Sequence, residues 1–180
     1  MFGMRRRGGG GPRARMMVTQ ALGLLDAGRY DEAAAALDQL VQMGERRAVP
    51  AQRLAQALLQ AGRAHLGAGR PDEALARGRR ALALFVQAGQ PGRALQAARR
   101  MVAELRTRGY ARQADALRQE IQARAPGIPW DTPEPVPPAD ARRLPTHCPG
   151  CGAPVRADEV DWTGAGTAEC AYCGTPLQAQ

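Results

Sequence analysis

Apolar side chains between residues 16 and 124 recur three and four positions apart, the spacing of one face of an α-helix. In the fourth predicted helix this spacing is carried by Ala74, Gly78, Ala81, Phe85 and Ala88. In the fifth it is carried by Ala94, Ala98, Met101 and Leu105. Several of these residues are small, which lets neighbouring helices approach closely. The pattern predicts a series of amphipathic helices that pack on one another.

Four glycines interrupt this pattern, and an alanine follows each of them five residues later: Gly28, Gly69, Gly89 and Gly109. Glycine at such a place predicts a left-handed helix C-cap. The first, second and fourth of these glycines are about 40 residues apart. The break at the third glycine and the loop at residues 44–50 would then join one hairpin to the next. The sequence predicts a mainly α fold, with six antiparallel helices in three hairpins over residues 16–124.

Two of these breaks resemble the turn between the two helices of a tetratricopeptide repeat (TPR). Their sequences are Asp26-Ala-Gly-Arg-Tyr-Asp-Glu-Ala33 and Ala68-Gly-Arg-Pro-Asp-Glu-Ala-Leu75. The resemblance covers about 110 residues and implies stacked helical hairpins that recognise partners on a concave surface. The repeat of about 40 residues is similar to the extended subclass of the family. Either a superhelix or a closed bundle is compatible with the pattern.

The four cysteines form two Cys-x-x-Cys-Gly motifs separated by eighteen residues. This spacing is typical of a tetrahedral zinc site, and four thiolates would fill the coordination shell and leave no position for a substrate. The predicted ligands of one structural zinc ion are Cys148, Cys151, Cys170 and Cys173. His147 stands beside the first ligand, but no fifth ligand is needed. The alternatives are two structural disulfides or iron in a rubredoxin-like site.

Residues 147–177 resemble the short zinc ribbons that are appended to many bacterial proteins. The resemblance is carried by CPGCGAPV at the start and CAYCGTPL at the end. It implies a module of β-hairpins held together by zinc and used for contact with proteins or nucleic acids. Because so short a segment cannot bury a sufficient core, we expect its folding to depend on the metal.

The net charge of +8 is divided unevenly, and all 25 basic residues are arginine. Residues 1–15 carry +5 and residues 16–125 carry +7, whereas residues 126–146 carry −1 and residues 147–180 carry −3. Zinc with four thiolates would add a further −2 to the last segment. We predict that residues 1–15 form a disordered basic arm. The charge division raises the hypothesis that the acidic ribbon lies on the basic helical face until a partner competes.

Residues 125–146 contain seven prolines and predict a semi-extended linker with polyproline II character. Trp130 is the large apolar side chain of this segment. Three roles are open for it: docking on the helices, anchoring a partner, or exposure to solvent without a role.

No set of catalytic residues stands out in the sequence. The chain has two histidines, and no cysteine outside the paired motifs. His65 falls on the inner face of the third predicted helix, where histidine usually serves packing. We therefore predict that the protein is not an enzyme and that it has no catalytic or cofactor-binding residues. No secretory signal and no run of eighteen apolar residues occurs, which predicts a soluble cytoplasmic protein without a membrane partner.

The predicted function is that of an interaction or adaptor protein. Nine arginines on the fourth to sixth helices are candidates for its binding surface: Arg77, Arg79, Arg80, Arg93, Arg99, Arg100, Arg106, Arg108 and Arg112. They would form a solvated face, a concave surface for an acidic protein partner, or a surface for the phosphates of RNA or DNA. The second interpretation gives the predicted function. The third, with the arginine-rich arm, gives the alternative: a nucleic-acid-associated protein without sequence specificity.

Overall fold

The structure is a computed structural model that describes residues 12–124, 130, 144–150, 152–157, 160–164, 166–170 and 174–179. Six helices account for the first range: α1 (Pro12–Asp26), α2 (Tyr30–Arg46), α3 (Ala51–Gly67), α4 (Pro71–Gln87), α5 (Pro91–Thr107) and α6 (Ala111–Arg124). Helix α1 begins at Pro12, so the last four residues of the predicted disordered arm, residues 12–15, are helical. Residues 1–11 of that arm and most of the predicted linker lie outside the described residues.

The four glycine breaks end helices as the sequence predicts. All four glycines have a φ angle between 72° and 85°, the left-handed conformation that glycine adopts without strain. At the first break, the amide of Gly28 donates to the carbonyl oxygen of Leu25 at 3.1 Å. The amide of Arg29 donates to the carbonyl oxygen of Leu24 at 2.9 Å. Equivalent bonds occur at the other three breaks, so each of these helices ends in a Schellman motif.

The connection between α2 and α3 is shorter than the loop of residues 44–50 that the sequence indicates. Gly44 lies inside α2 and is buried. A Cβ atom at this position would lie 3.1 Å from Val49 and 3.3 Å from Leu54, so the glycine permits close packing instead of a turn. The left-handed residue of this connection is Ala48, with a φ angle of 47°.

The helices form an open array, which we call the helical array. Extensive contacts between the described helices all join neighbours in the chain, from α1 with α2 to α5 with α6. Three apolar clusters cross from one hairpin to the next. The first joins α1, α2 and α3, the second joins α2 to α5, and the third joins α3 to α6. Within the described residues, α1 and α6 share no extensive contact, so the array has two open ends and is not a closed bundle.

A charged network ties the middle of the helical array together. Asp38 of α2 accepts hydrogen bonds from Arg77 of α4 at 2.8 and 3.0 Å, and its Oδ2 lies 3.0 Å from Nε2 of His65 in α3. The Nε–H group of Arg70 donates to Nδ1 of His65 at 3.1 Å. Because arginine can only donate, Nδ1 is the accepting nitrogen and Nε2 carries the proton that bonds Asp38. His65 is therefore a hydrogen-bonded structural residue.

Burial of Asp38 acts to raise its pKa, but the hydrogen bonds from Arg77 and His65 outweigh burial and hold the pKa below its ordinary value. The same pairing raises the pKa of Arg77. Hydrogen bonds to the charged form of a carboxyl group favour that form, which is why the partners prevail here. The network thus stabilises the array with Asp38 ionised.

We expect Asp38→Asn to lower the free energy of unfolding by about 1–3 kcal/mol at pH 7, because Arg77 and His65 lose a charged acceptor. A carboxyl group with a lowered pKa contributes its full stability above the unfolded-state pKa of about 3.9. This contribution is lost as the pH falls through the lower pKa that Asp38 has in the native state. Urea titrations followed by circular dichroism should therefore show the difference between the two proteins shrinking between pH 7 and pH 2.

Asp115→Asn is the matched control for this prediction. Asp115 is exposed and pairs with Arg106 at 2.7 Å, so its replacement should change the free energy of unfolding by no more than about 1 kcal/mol. A loss for Asp38→Asn that stayed the same at both pH values would contradict the role assigned to the ionised carboxylate.

The C-terminal part of the chain, which we call the C-terminal module (residues 144–179), contains three short antiparallel strands. They are β1 (Asp161–Gly164), β2 (Thr167–Glu169) and β3 (Pro176–Gln178), in the order β1-β2-β3. Its small core consists of Cys148, Val160, Ala168, Cys170 and Leu177. The predicted fold class, mainly α with a small β element at the C-terminus, is confirmed.

No helix among the described residues is long and apolar enough to span a bilayer.

Candidate metal centre and interaction groove

The two predicted cysteine knuckles have the same backbone structure where they are described. In the first, the amide of Cys148 donates to the carbonyl oxygen of Ala153, and the amide of Gly152 donates back to Cys148, both at 2.8 Å. The second knuckle repeats both bonds around Cys170, at 2.9 and 2.8 Å. In both, the glycine after the second cysteine has a positive φ angle, 75° and 67°. Two equal tight turns are what a pair of metal-binding knuckles requires.

The two described cysteines both lie in the module's core. Cys148 is 2% exposed and Cys170 is 1% exposed, and both belong to one apolar cluster. The amide of Gly150 donates to Sγ of Cys148 at 3.3 Å, as amides do toward charged metal thiolates. These features fit the predicted four-thiolate set. That set stays a prediction, because Cys151 and Cys173 lie outside the described residues.

Fewer than three metal-ligating side chains come together anywhere in the described part of the chain. The two described cysteines are half of the predicted set, so this observation does not test the set. His147 is exposed, its Nδ1 lies 3.2 Å from the hydroxyl of Thr146, and it pairs with Pro154 in an isolated β-bridge.

The C-terminal module lies against α1, α3 and α5 of the helical array. Four polar contacts join the two parts: Arg156 with Asp26 at 2.7 Å, Arg93 with Glu169, Gln56 Nε2 with the carbonyl oxygen of Cys170 at 3.4 Å, and Arg100 with the carbonyl oxygen of Val160 at 3.4 Å. The three helices are the first helices of their hairpins. The module therefore covers one face that all three hairpins share, and we call this face the groove.

The module lies close to α3 at Gly174. A Cβ atom at this position would meet the side-chain amide of Gln52, and it would lie 3.5 Å from Arg93. The requirement for glycine comes from its positive φ angle of 67°.

Two cavities remain along the groove. The first, about 250 Å³, lies between α3 and α5, with an apolar floor that includes Leu59, Phe85 and Met101. Gln56, Arg93 and Arg100, which also hold the module, line the same cavity. The second cavity, about 270 Å³, lies toward α1, and its lining residues include Asp26, Tyr30, Arg63, Glu104, Arg108 and Arg156. Among the described residues, Arg156 is the module residue that lines either cavity, so the module covers only part of the groove.

Gln56 is a buried polar residue of the first cavity. It is 3% exposed, and its amide nitrogen donates to the module. Its Oε1 atom has no hydrogen-bond partner among the described residues. Buried polar atoms are usually satisfied, so this acceptor indicates a place where a donor is expected.

The arginines that the sequence groups into one basic surface are mostly paired with groups of the chain itself. Six of the nine contact carboxylates: Arg77 with Asp38, Arg79 with Glu120, Arg80 with Glu45, Arg93 with Glu169, Arg106 with Asp115 and Arg108 with Glu104. A continuous unneutralised surface is therefore not present on these helices. Sequence reasoning grouped the residues by number and missed their carboxylate neighbours, four of which lie on other helices and are brought close only by packing.

Trp130 docks on the helical array, the first of the three roles considered for it. It packs against the apolar cluster that joins α3 to α6, and the guanidinium group of Arg118 lies 5.9 Å from the centre of its ring. A cation over an aromatic face at this distance is attracted to it.

No family model, curated protein or solved structure matches this chain. The groove and the two knuckles are therefore the features that bear on function. The contributions of Gln56, Asp26 and Arg156 to the groove were missed at the sequence level. None of these three carries a local signal, because each acquires its role by meeting a distant segment.

Proposed function

We propose that this protein is a non-enzymatic interaction protein in which the helical array binds a protein partner and the C-terminal module provides a second contact surface. The observation that carries the proposal is the groove. A single face of the array already holds a folded piece of polypeptide. Side chains of α3 and α5 contact one carboxylate and two main-chain carbonyl groups of the module. These are groups that any protein partner presents.

The shape of the array supports a TPR-like assignment at a finer level. Tyr30, at the start of α2, packs on Gly67 at the end of α3, where a Cβ atom would collide with the ring. The guanidinium group of Arg108 lies 5.5 Å from the centre of the same ring. The aromatic residue of the first turn thus packs between hairpins, which is what a stacked repeat requires of it.

We further propose that the C-terminal module is a zinc ribbon, in which Cys148, Cys151, Cys170 and Cys173 would hold one zinc ion. Zinc, when bound, would fix the two knuckles in one geometry and would have no catalytic role. The equal backbone turns and the burial of the two described cysteines support this assignment. Metal binding would then supply the folding energy that so small a core lacks.

Charge reversal in the groove tests the interaction function. We expect Arg63→Glu to reduce recovery of protein partners from native-host extract about tenfold or more, because Arg63 lines both cavities. Arg79→Glu is a matched control outside the cavity linings. The two side chains are 42% and 46% exposed, and each pairs with one glutamate. The measurement is affinity capture with the full-length protein, with half of each extract treated with nuclease.

Two outcomes would contradict the proposal. Equal losses for both variants would show that net charge, and not the groove, determines recovery. Loss of every partner after nuclease treatment, with nucleic acid in the untreated eluate, would establish the nucleic-acid alternative. That alternative also predicts a steep decrease of binding with salt and weaker binding after deletion of residues 1–15.

A further inference from the structure

The contacts between the module and the groove show which chemical groups the groove binds. Arg93 holds the carboxylate of Glu169, and the side chain of Arg93 is 15% exposed in this pair. Gln56 and Arg100 donate to main-chain carbonyl oxygens of the module. Each of these contacts uses a carboxylate or a main-chain carbonyl group, and none uses a cysteine side chain. An acidic polypeptide segment from another protein offers the same carboxylate and the same carbonyl groups.

The module does not use the apolar part of the groove. The 250 Å³ cavity between α3 and α5 is larger than the ~150 Å³ that accommodates a benzene molecule in a protein interior. Its lining includes Phe85 and Met101 as well as Arg93 and Arg100. The cavity therefore accepts a side chain as large as phenylalanine beside the position where the carboxylate binds.

The module meets the array through few and weak contacts. Among the described residues, the 250 Å³ cavity is lined by helical residues alone and the second cavity has Arg156 as its module residue, so the module leaves apolar surface of the groove uncovered. Two of its hydrogen bonds are 3.4 Å long, at the weak end of the range. Oε1 of Gln56 accepts no hydrogen bond among the described residues. A contact of this quality can be displaced by a segment that fills the cavity and completes the hydrogen bonds.

We propose that the C-terminal module occupies the partner site of the helical array and that a partner binds by displacing it. The displacing segment carries a carboxylate for Arg93 and a large apolar side chain for the cavity, and its main chain supplies a donor for Gln56. This inference rests on the proposed interaction function and adds to it the chemistry of the partner and a built-in competitor. Because the module is part of the same chain, it competes at a high effective concentration and sets a threshold for binding.

The probe for this proposal is a fluorescent ten-residue peptide in which glutamate alternates with phenylalanine and leucine. Fluorescence anisotropy with the full-length, metal-loaded protein measures its Kd. Two control peptides replace glutamate with glutamine, or phenylalanine and leucine with alanine. Both controls should bind at least about tenfold more weakly, because each removes one of the two features that the groove accepts.

Three variants separate competition from simple binding. Met101→Gln, at the apolar cavity that the module does not use, should weaken peptide binding about tenfold, whereas Arg79→Gln, outside the cavity linings, should not change it. Asp26→Asn removes the partner of Arg156 and loosens the module at a distance from the knuckles, so it should strengthen peptide binding about threefold or more. Circular dichroism establishes for each variant that the helices remain folded.

Hydrogen exchange gives a second readout that does not depend on affinity. Peptide binding should raise amide exchange in residues 160–170 of the module, which lose the cover of α3 and α5. Weaker peptide binding in Asp26→Asn, or exchange that falls in the module, would overturn the proposal, because the module would then be part of the site. If the control peptides bind as tightly as the probe, the partner chemistry is wrong. If a protein partner is captured through the groove but the probe peptide does not bind, this inference is wrong and the interaction function still stands.

Discussion

Replacing Cys170 with serine is expected to abolish zinc binding and to unfold the C-terminal module, while α1 to α6 remain folded. Cys170 is 1% exposed and is predicted to supply one of four thiolates. Structural zinc contributes about 10–16 kcal/mol to the folding of small zinc-finger peptides at pH 7. The core of the module has few apolar side chains and cannot replace a contribution of this size. The wild-type protein should therefore hold about one zinc ion per chain, and the variant none.

Metal analysis of the dialysed protein measures the loss of zinc, and tryptophan fluorescence measures the unfolding of the module. Trp162 lies in β1, and its Nε1–H group donates to the carbonyl oxygen of Ala157 at 2.9 Å, so its emission reports on the module. A Trp130→Phe background removes the second tryptophan. His147→Ala is the matched control, since His147 precedes the first predicted ligand and should leave the zinc content unchanged. A module that survives chelation and unfolds on reduction would replace the zinc assignment with disulfides.

Loss of the module also connects the two proposals. If the module covers the partner site, Cys170→Ser should uncover the groove and strengthen binding of the acidic, apolar peptide. The helices must remain folded for this result to be meaningful, which circular dichroism establishes. Unchanged peptide affinity in the unfolded-module variant would contradict the competition and would leave the zinc assignment untouched.

Replacing Leu105 with alanine is expected to lower the free energy of unfolding of the helical array by about 3 kcal/mol, within the 2–5 kcal/mol measured for such changes. Leu105 of α5 is fully buried in the cluster that joins α3 to α6. The substitution removes the γ-carbon and both methyl groups of the side chain, and it leaves a cavity among Leu66, Val102 and Leu117. Each hairpin of an open array is stabilised mainly by its neighbours. We therefore expect α5 and α6 to open first.

Urea denaturation gives the size of this loss, and hydrogen exchange shows where it occurs. Val86→Ala is the matched control: Val86 is 58% exposed on α4, so its replacement should change the free energy of unfolding by no more than about 0.5 kcal/mol. An equal rise in exchange across α1 to α6 would contradict the open array and would indicate one cooperative unit.

The breaks between the helices could be predicted because their cause is local. A glycine in the left-handed conformation and a proline or tyrosine near the start of the next helix determine a turn without help from distant residues. The same reasoning failed at Gly44, where glycine is required by the approach of Val49 and Leu54. A glycine that permits close packing and a glycine that ends a helix look alike in a sequence.

The hypothesis that the acidic module lies on the basic helices also came from the sequence, because net charge is a property of segments. The pairs that carry this contact did not. Arg93 and Glu169 are 76 residues apart, and nothing near either residue indicates the other. Four further arginines were candidates for an open binding surface and instead pair with carboxylates of other helices: Arg77, Arg79, Arg80 and Arg106.

By itself the sequence determined the helices, their glycine caps, the knuckle motifs and the sign of the charge in each segment. Periodicity, turn conformation and ligand spacing act over a few residues, so they can be seen along the chain. The tertiary structure alone decided that the array is open, that Trp130 docks, and that the module covers part of the groove and leaves cavities beside it. These features depend on which side chains meet across tens of residues, and that is set by how the helices pack.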